Sequence, residues 1–171
     1  LVLNRLWGLD IDINKLAEIG LSLGADVPVF VRGQAAWATG VGEQLQPLEL
    51  PENHYLVIDP GESVSTAAVF NAEELTRNND PITIRAFLRG AGGNVCEPVV
   101  RKRYPGVGEA LDWLGQFAAA RMSGTGGCVF AAFDSLNRAE ELKLEVPGQW
   151  RARVVRAMNR NPVHRQLGLP V

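Results

Sequence analysis

The chain has 171 residues, 46% of them apolar and 21% charged, ordinary proportions for a globular protein that exclude a disordered tail, a collagen-like chain and a coiled coil. The net charge of −2 supplies no global positive field for nucleic acid or an anionic membrane surface, and apolar runs such as Cys128 to Phe133 are far too short to span a bilayer. The two cysteines, Cys96 and Cys128, stand in no CxxC or Cys/His ligand spacing, which leaves a reducing cytoplasm as the default compartment.

The chain opens Leu-Val-Leu-Asn-Arg-Leu-Trp, and its methionines are Met122 and Met158. No start residue and no signal or transit segment is visible. Leu3, Leu6 and Trp7 fall on one side of a helix that has no cap before it, which reads as the middle of an amphipathic helix. The expectation is therefore the C-terminal part of a longer protein. Asp12 reads as an N-cap, with Ile13, Leu16, Ala17, Gly20 and Leu21 at helical spacing and Gly24 as a stop. Val27 to Val31 reads as a strand with Pro28 at its start. Ala35 to Leu50 reads as extended, with a break or bulge at Gly40-Val41-Gly42, and Pro51-Glu52-Asn53 marks a candidate domain boundary.

Tyr55 to Ile58 predicts a short strand, Ser65 to Leu75 a helix, and Ile82 to Leu88 a second short helix after a loop. Asn94 and Glu97 have the spacing of a capping box, and Pro98 suits the first turn that follows. After the break at Pro105-Gly106, Val107, Ala110, Leu111, Leu114, Phe117 and Ala118 make the clearest amphipathic stripe. Gly127 to Phe133 predicts a buried strand, Ser135 to Val146 a helix, and Arg151 to Val154 a half-exposed last strand. This order predicts an α+β domain with helices on one face of a mainly antiparallel sheet.

Few residues announce chemistry by themselves. Ser123-Gly124-Thr125-Gly126-Gly127 lets backbone amides approach an anion, because glycine lacks a Cβ. It lacks the Gly-Lys-Ser/Thr of a Walker loop and reads equally as a tight turn between helix and strand. Asp26 lies between a helix end and the expected strand, where the helix dipole gives it no capping purpose; a solvated loop aspartate is the plainer reading. Gly40-Val41-Gly42-Glu43 suits either a backbone surface for a ligand or a structural kink. Phe70 reads as core or as a stacking platform. His54 and His164 have no partner at metal or triad spacing, and Arg101-Lys102-Arg103 reads as a solvated helix face.

In combination these segments become specific. Leu23-Gly24-Ala25-Asp26-Val27-Pro28-Val29-Phe30 resembles a central motif of the GHMP kinase superfamily. The stretch from Gly33 through Ala38-Thr39-Gly40-Val41-Gly42-Glu43 is similar to one branch of that family. So are Asn94-Val95-Cys96-Glu97 followed by Arg101-Lys102-Arg103, and Gly124-Thr125-Gly126 followed by Cys128-Val129-Phe130. The resemblance runs in order along essentially the whole chain.

The resemblance implies an end of a ribosomal-S5-like N-terminal domain in residues 1–52 and a ferredoxin-like C-terminal domain in residues 53–171, with a cleft between them. It implies transfer of the γ-phosphoryl of ATP, with Mg2+, to a tertiary hydroxyl of a cytidine diphosphate sugar-alcohol in non-mevalonate isoprenoid biosynthesis. It places Asp26 as the group that orients or deprotonates the hydroxyl and Phe70 where members stack an aromatic ring on cytosine. It places Gly40, Val41 and Thr66 at the nucleotide end of the substrate, and Ser123, Gly124, Thr125, Gly126 and Gly127 as the phosphate-region loop. Ala67 stands where some members carry proline. No metal ligand is assigned, and neither nucleic acid nor membrane is an expected partner. The family's glycine- and serine-rich ATP loop, a lysine and a second aromatic residue are expected before Leu1, so this chain alone is expected to be inactive. The rival expectations are another small-molecule kinase of the superfamily, acting for example on mevalonate or homoserine, and a non-catalytic ferredoxin-like binding module. A substrate panel separates the first, and the presence of a glycine-rich phosphate loop upstream separates the second.

Overall fold

The structure, a computed structural model, describes residues 1–169. In chain order the elements are α1 (Val2–Leu6), α2 (Ile13–Leu23), α3 (Val27–Arg32), β1 (Ala36–Thr39), β2 (Gln44–Pro47), β3 (His54–Asp59), α4 (Thr66–Phe70) and α5 (Ile84–Leu88). They continue with α6 (Glu97–Arg103), α7 (Pro105–Gly115), β4 (Arg121–Met122), β5 (Val129–Phe133), α8 (Leu136–Glu145), β6 (Arg151–Arg156) and α9 (Pro162–Gln166). Two compact units result: Leu1–Glu52 together with the residues from Met158 onward, and Asn53–Ala157.

In the first unit Asp12 caps α2 by accepting from the Asn14 N–H at 2.8 Å. The strand expected at Val27 to Val31 is instead the helix α3. Pro28 sits in its first turn, where proline's fixed φ suits a helix and its missing N–H is not needed. Gly20 of α2 faces it so closely that a Cβ there would lie 2.8 Å from Val27 Cγ1. Packing through this gap outweighs the β preference of three valines, which is a statement about surroundings more than about backbone. β1 and β2 form an antiparallel hairpin, with Ala36 opposite Pro47 and Thr39 opposite Gln44. The expected bulge at Gly40-Val41-Gly42 is thus the turn of this hairpin.

The residues after Met158 were expected in the C-terminal domain, but their backbone groups pair within the first unit. Ala35 N–H donates to Asn159 O at 2.8 Å and Asn161 N–H to Gly33 O at 2.8 Å. The Asn159 side chain accepts from Leu50 N–H at 2.8 Å and donates to Leu50 O at 2.7 Å. Asn161 then caps α9, an element the sequence reading left unassigned.

The second unit is built on a four-stranded antiparallel sheet in the order β4-β5-β3-β6. Its connectivity is the β-α-β-β-α-β of ferredoxin-like folds. Side chains alternate as a half-buried sheet requires: Leu56, Ile58, Val129, Ala131 and Phe133 point into the core, while Tyr55 and Phe130 meet on the other face at 5.9 Å. The core is closed by Val107, Ala110, Leu111 and Leu114 of α7 and Ala139 and Leu142 of α8, all 2% exposed or less. Each such Val or Leu contributes about 1.5–3 kcal/mol of burial. The α+β architecture with helices packed against one face is as expected.

Three local expectations change. The helix expected over Ser65 to Leu75 stops at Phe70, because Arg77 occupies the carbonyls of Phe70, Ala72 and Leu75. The capping box does not form: Asn94 Oδ1 accepts from Cys96 N–H, and Glu97 turns along α6 to accept from Arg101 Nε at 2.9 Å. The two-residue strand β4, too short to carry a periodic signal, makes the Ser123–Gly127 segment a link between two strands. No helix among the described residues is long and apolar enough to cross a membrane.

Candidate active site

Asp26 occupies the N-cap position of α3 with φ −83° and makes no side-chain capping bond. It is exposed. A negative charge is favourable at this end of a helix, so the dipole argument that denied it a structural purpose no longer applies. Its carboxylate nonetheless makes no hydrogen bond or ion pair among the described residues. The β1–β2 turn lies against the residue before it: a Cβ on Gly42 would sit 3.1 Å from Ala25 O. Gly40 (φ 71°) and Gly42 (φ 112°) supply the left-handed conformations the turn requires. Glu43 Oε2 accepts from Val41 N–H at 2.8 Å. That bond and one from its own backbone N–H hold the Glu43 carboxyl below its ordinary pKa. Asp26, Gly40 and Val41 are thereby collected in one unit, with Val41 75% exposed.

In the second unit the structure collects Thr66, Phe70 and the Ser123–Gly127 loop. The loop is the turn of the β4–β5 hairpin, closed by Ser123 N–H to Cys128 O at 2.9 Å and Gly126 N–H to Ser123 O at 3.0 Å. Gly124, Gly126 and Gly127 all have positive φ. The amides of Gly124, Thr125 and Gly127 make no hydrogen bond among the described residues, which leaves them for an anion. Thr66 Oγ1 meets Thr125 Oγ1 at 2.9 Å, so the first turn of α4 touches the loop directly. Phe70, on the same helix, is 55% exposed while its neighbour Val69 is fully buried. Phe70 is therefore not core, and its ring is open to a ligand.

A second cavity wall adjoins the loop. An open cavity of ≈ 460 Å³ is lined by Asp59, Glu62, Ser63, Ser123, Gly126 and Arg151 among others, with Arg151 paired to Asp59 at 2.7 Å. Cys128 also borders it. Burial, aided by the Asp59 charge, pushes its thiol pKa up, which disfavours the nucleophilic thiolate.

The sequence reads Asn94 as a cap and as part of the Asn94–Glu97 motif, and gives it no part in holding the loop. Its Nδ2 donates to Gly124 O at 2.6 Å and Met122 O at 3.2 Å, tying the loop to the start of α6. No local spacing signals this, because the partners are some thirty residues away. His54 lies on β3, and His164 is buried at 1% exposure, its ring nitrogens without a hydrogen-bond partner among the described residues. The Arg101-Lys102-Arg103 run is not simply solvated: Arg101 bonds Glu97 and Asp112, and Arg103 bonds Glu74. Among the described residues no three His, Cys, Asp or Glu side chains come together as a metal site.

Comparison with known proteins gives this arrangement a context. Residues 72–152 match the family model described as GHMP kinases C terminal. The chain is 56% identical over 157 residues to a protein of Nitrosococcus oceani named 4-diphosphocytidyl-2-C-methyl-D-erythritol kinase, covering 92% of this chain and 56% of that protein. It is 53% identical over 165 residues to the protein of the same name in Halorhodospira halophila, covering 95% and 57%. The chain thus spans about half the length of the curated relatives it matches. A crystal structure of 4-(cytidine 5'-diphospho)-2C-methyl-D-erythritol kinase superposes with a TM-score of 0.68 at 29% identity, covering 92% of this chain and 62% of the other. A homoserine kinase from Cytophaga hutchinsonii superposes with a TM-score of 0.64 at 16% identity, over 93% and 62%, a likeness of fold alone.

Proposed function

We propose that this chain, whose residues 72–152 match the family model described as GHMP kinases C terminal, belongs to that family and is part of an ATP-dependent small-molecule kinase. The acceptor is the 2-hydroxyl of 4-diphosphocytidyl-2-C-methyl-D-erythritol, and the reaction belongs to non-mevalonate isoprenoid biosynthesis in the cytoplasm. The observation that carries this reading is identity of 46% to 56% over at least 91% of the chain with proteins of that name. The homoserine kinase likeness supports no rival substrate, since it rests on fold at 16% identity.

In this reading the hydroxyl oxygen attacks the γ-phosphorus of ATP, the bond to the β-phosphate oxygen breaks, and ADP leaves. The Asp26 carboxylate accepts or orients the hydroxyl proton. Its exposure and unengaged oxygens suit that task. Phe70 offers its open face to the cytosine, and the family resemblance assigns Thr66, Gly40 and Val41 to the nucleotide end of the substrate. The unengaged amides of the Ser123–Gly127 loop, held by Asn94 and Thr66, support the phosphate region. The full-length protein is expected to phosphorylate this substrate in a panel that includes mevalonate and homoserine, and preference for either of those would overturn the reading.

Two further results are expected. Because phosphoryl transfer depends mostly on positioning and charge neutralisation around the phosphates, and the chain spans only 56% and 57% of two such relatives, a protein whose intact mass equals this chain is expected to show no ATP turnover in a coupled assay. Phe70→Ala in the full-length protein is expected to weaken substrate binding by about 1–3 kcal/mol, the range of base–aromatic stacking, with ATP affinity unchanged. Equal loss of both affinities together with a lower Tm would assign Phe70 to structure instead.

A further inference from the structure

The helix that carries Phe70 is only five residues long, too short to hold itself together. Its start is fixed by Ser65, whose Oγ accepts from Ala68 N–H at 3.2 Å and whose own N–H donates to the Tyr104 hydroxyl at 3.2 Å. Its end is unusual. Of the last carbonyls, Ala67 O accepts from Asn71 N–H and Val69 O from Ala72 N–H. The two between and after them take guanidinium donors. Arg103 Nη1 donates to Ala68 O at 3.0 Å, and Arg77 Nη2 donates to Phe70 O at 2.7 Å and Ala72 O at 3.0 Å. Arg77 Nη1 also reaches Leu75 O at 3.2 Å. A single planar fork thus closes three carbonyls around the residue that presents the ring, which a lysine ammonium on a flexible stem reproduces only in part. Beside it, Arg103 is fixed by both oxygens of Glu74.

The geometry points to Arg77 as a positioning residue for substrate: it fixes the backbone at Phe70 so that the exposed ring is held ready for the base instead of being ordered on binding. This rests on the reading of Phe70 as the stacking platform. A charged donor on the helix-terminal carbonyls suits the negative end of the dipole, and a platform ordered beforehand loses less entropy when the ligand arrives.

The test is steady-state kinetics on the full-length protein for Arg77→Met, Arg77→Lys, Phe70→Ala and the double variant of Phe70→Ala with Arg77→Met. Arg77→Met is expected to raise KM for the cytidine-bearing substrate roughly tenfold, with kcat and KM for ATP within about twofold, since loss of positioning acts on the ligand that is positioned. Arg77→Lys recovers part of the loss. In the Phe70→Ala background Arg77→Met adds less than about twofold, the non-additivity expected when one residue acts through another. If Phe70→Ala raises substrate KM and Arg77→Met does not, the positioning role is overturned and the stacking platform stands. If Phe70→Ala leaves substrate KM unchanged, the platform itself fails and the positioning role falls with it. A fall in kcat and both affinities with a lowered Tm for Arg77→Met marks a merely structural contact and overturns the inference.

Discussion

Asp26→Asn in the full-length protein is expected to lower kcat by roughly 10²–10⁴-fold, the range of a general base. A tertiary alcohol is a crowded, weakly acidic nucleophile, so a carboxylate placed on its proton acts more on the transition state than on the bound ground state. Substrate KM is expected to stay within about threefold, because the cytidine end supplies most of the binding in the proposed reading. Stability is expected to hold. Asn serves an N-cap position as well as Asp does, the Asp26 side chain makes no capping bond to lose, and the residue is exposed. The kinetic loss therefore separates cleanly from folding. A variant that retains more than about a third of kcat, far outside the general-base range, would reduce Asp26 to a charge at a helix end. Thermal melting of the same sample checks the other half: a large drop in Tm with the loss of rate would mean the carboxylate serves the turn between α2 and α3.

Legibility from sequence followed the range of the interactions. The α7 stripe from Val107 to Leu114, the alternation along β3 and β5, and the cap at Asp12 are written in neighbouring residues, and they stand where the spacing places them. Elements decided by distant partners were misread. Val27 to Val31 is helical because Gly20 leaves room for Val27; no window of five residues contains that fact. Asn94 has the spacing of a cap, but its amide finds Met122 and Gly124 instead. The helix at Thr66 ends early because Arg77 bends back onto it, an i+7 contact that competes with helical hydrogen bonds. The candidate site was legible differently. Its glycine turns and Asp26 are visible in the chain as motifs, whereas Phe70 was undecided between core and platform until Val69 proved to be the buried neighbour.

Gly33→Ala is expected to be the most destabilising small substitution in the first unit. Gly33 ends α3 in the left-handed region, with φ 69° and its N–H bonded to Val29 O. An L residue there costs about 1–2 kcal/mol. The added methyl has nowhere to go: its position lies 2.4 Å from His164 Cδ2 and Nε2 and 2.7 Å from Cε1. The His164 ring is 1% exposed, so it yields only by disturbing α9 and the strand-like pairing of Asn161 with Gly33. Such overpacking costs typically 1–3 kcal/mol. Together the two terms reach about 2–5 kcal/mol, a large share of a domain's usual 5–15 kcal/mol, and a fall in Tm on the order of 10 °C. Thermal melting of the chain by circular dichroism measures it. The double variant of Gly33→Ala with His164→Ala separates the causes, because removing the ring leaves only the backbone term. The methyl of Gly33→Ala is then expected to lower Tm by less than half as much as it does beside the intact ring, a coupling of the kind found between residues in contact. Equal losses in both backgrounds would place the whole effect in the left-handed backbone and none in the packing of His164 on Gly33.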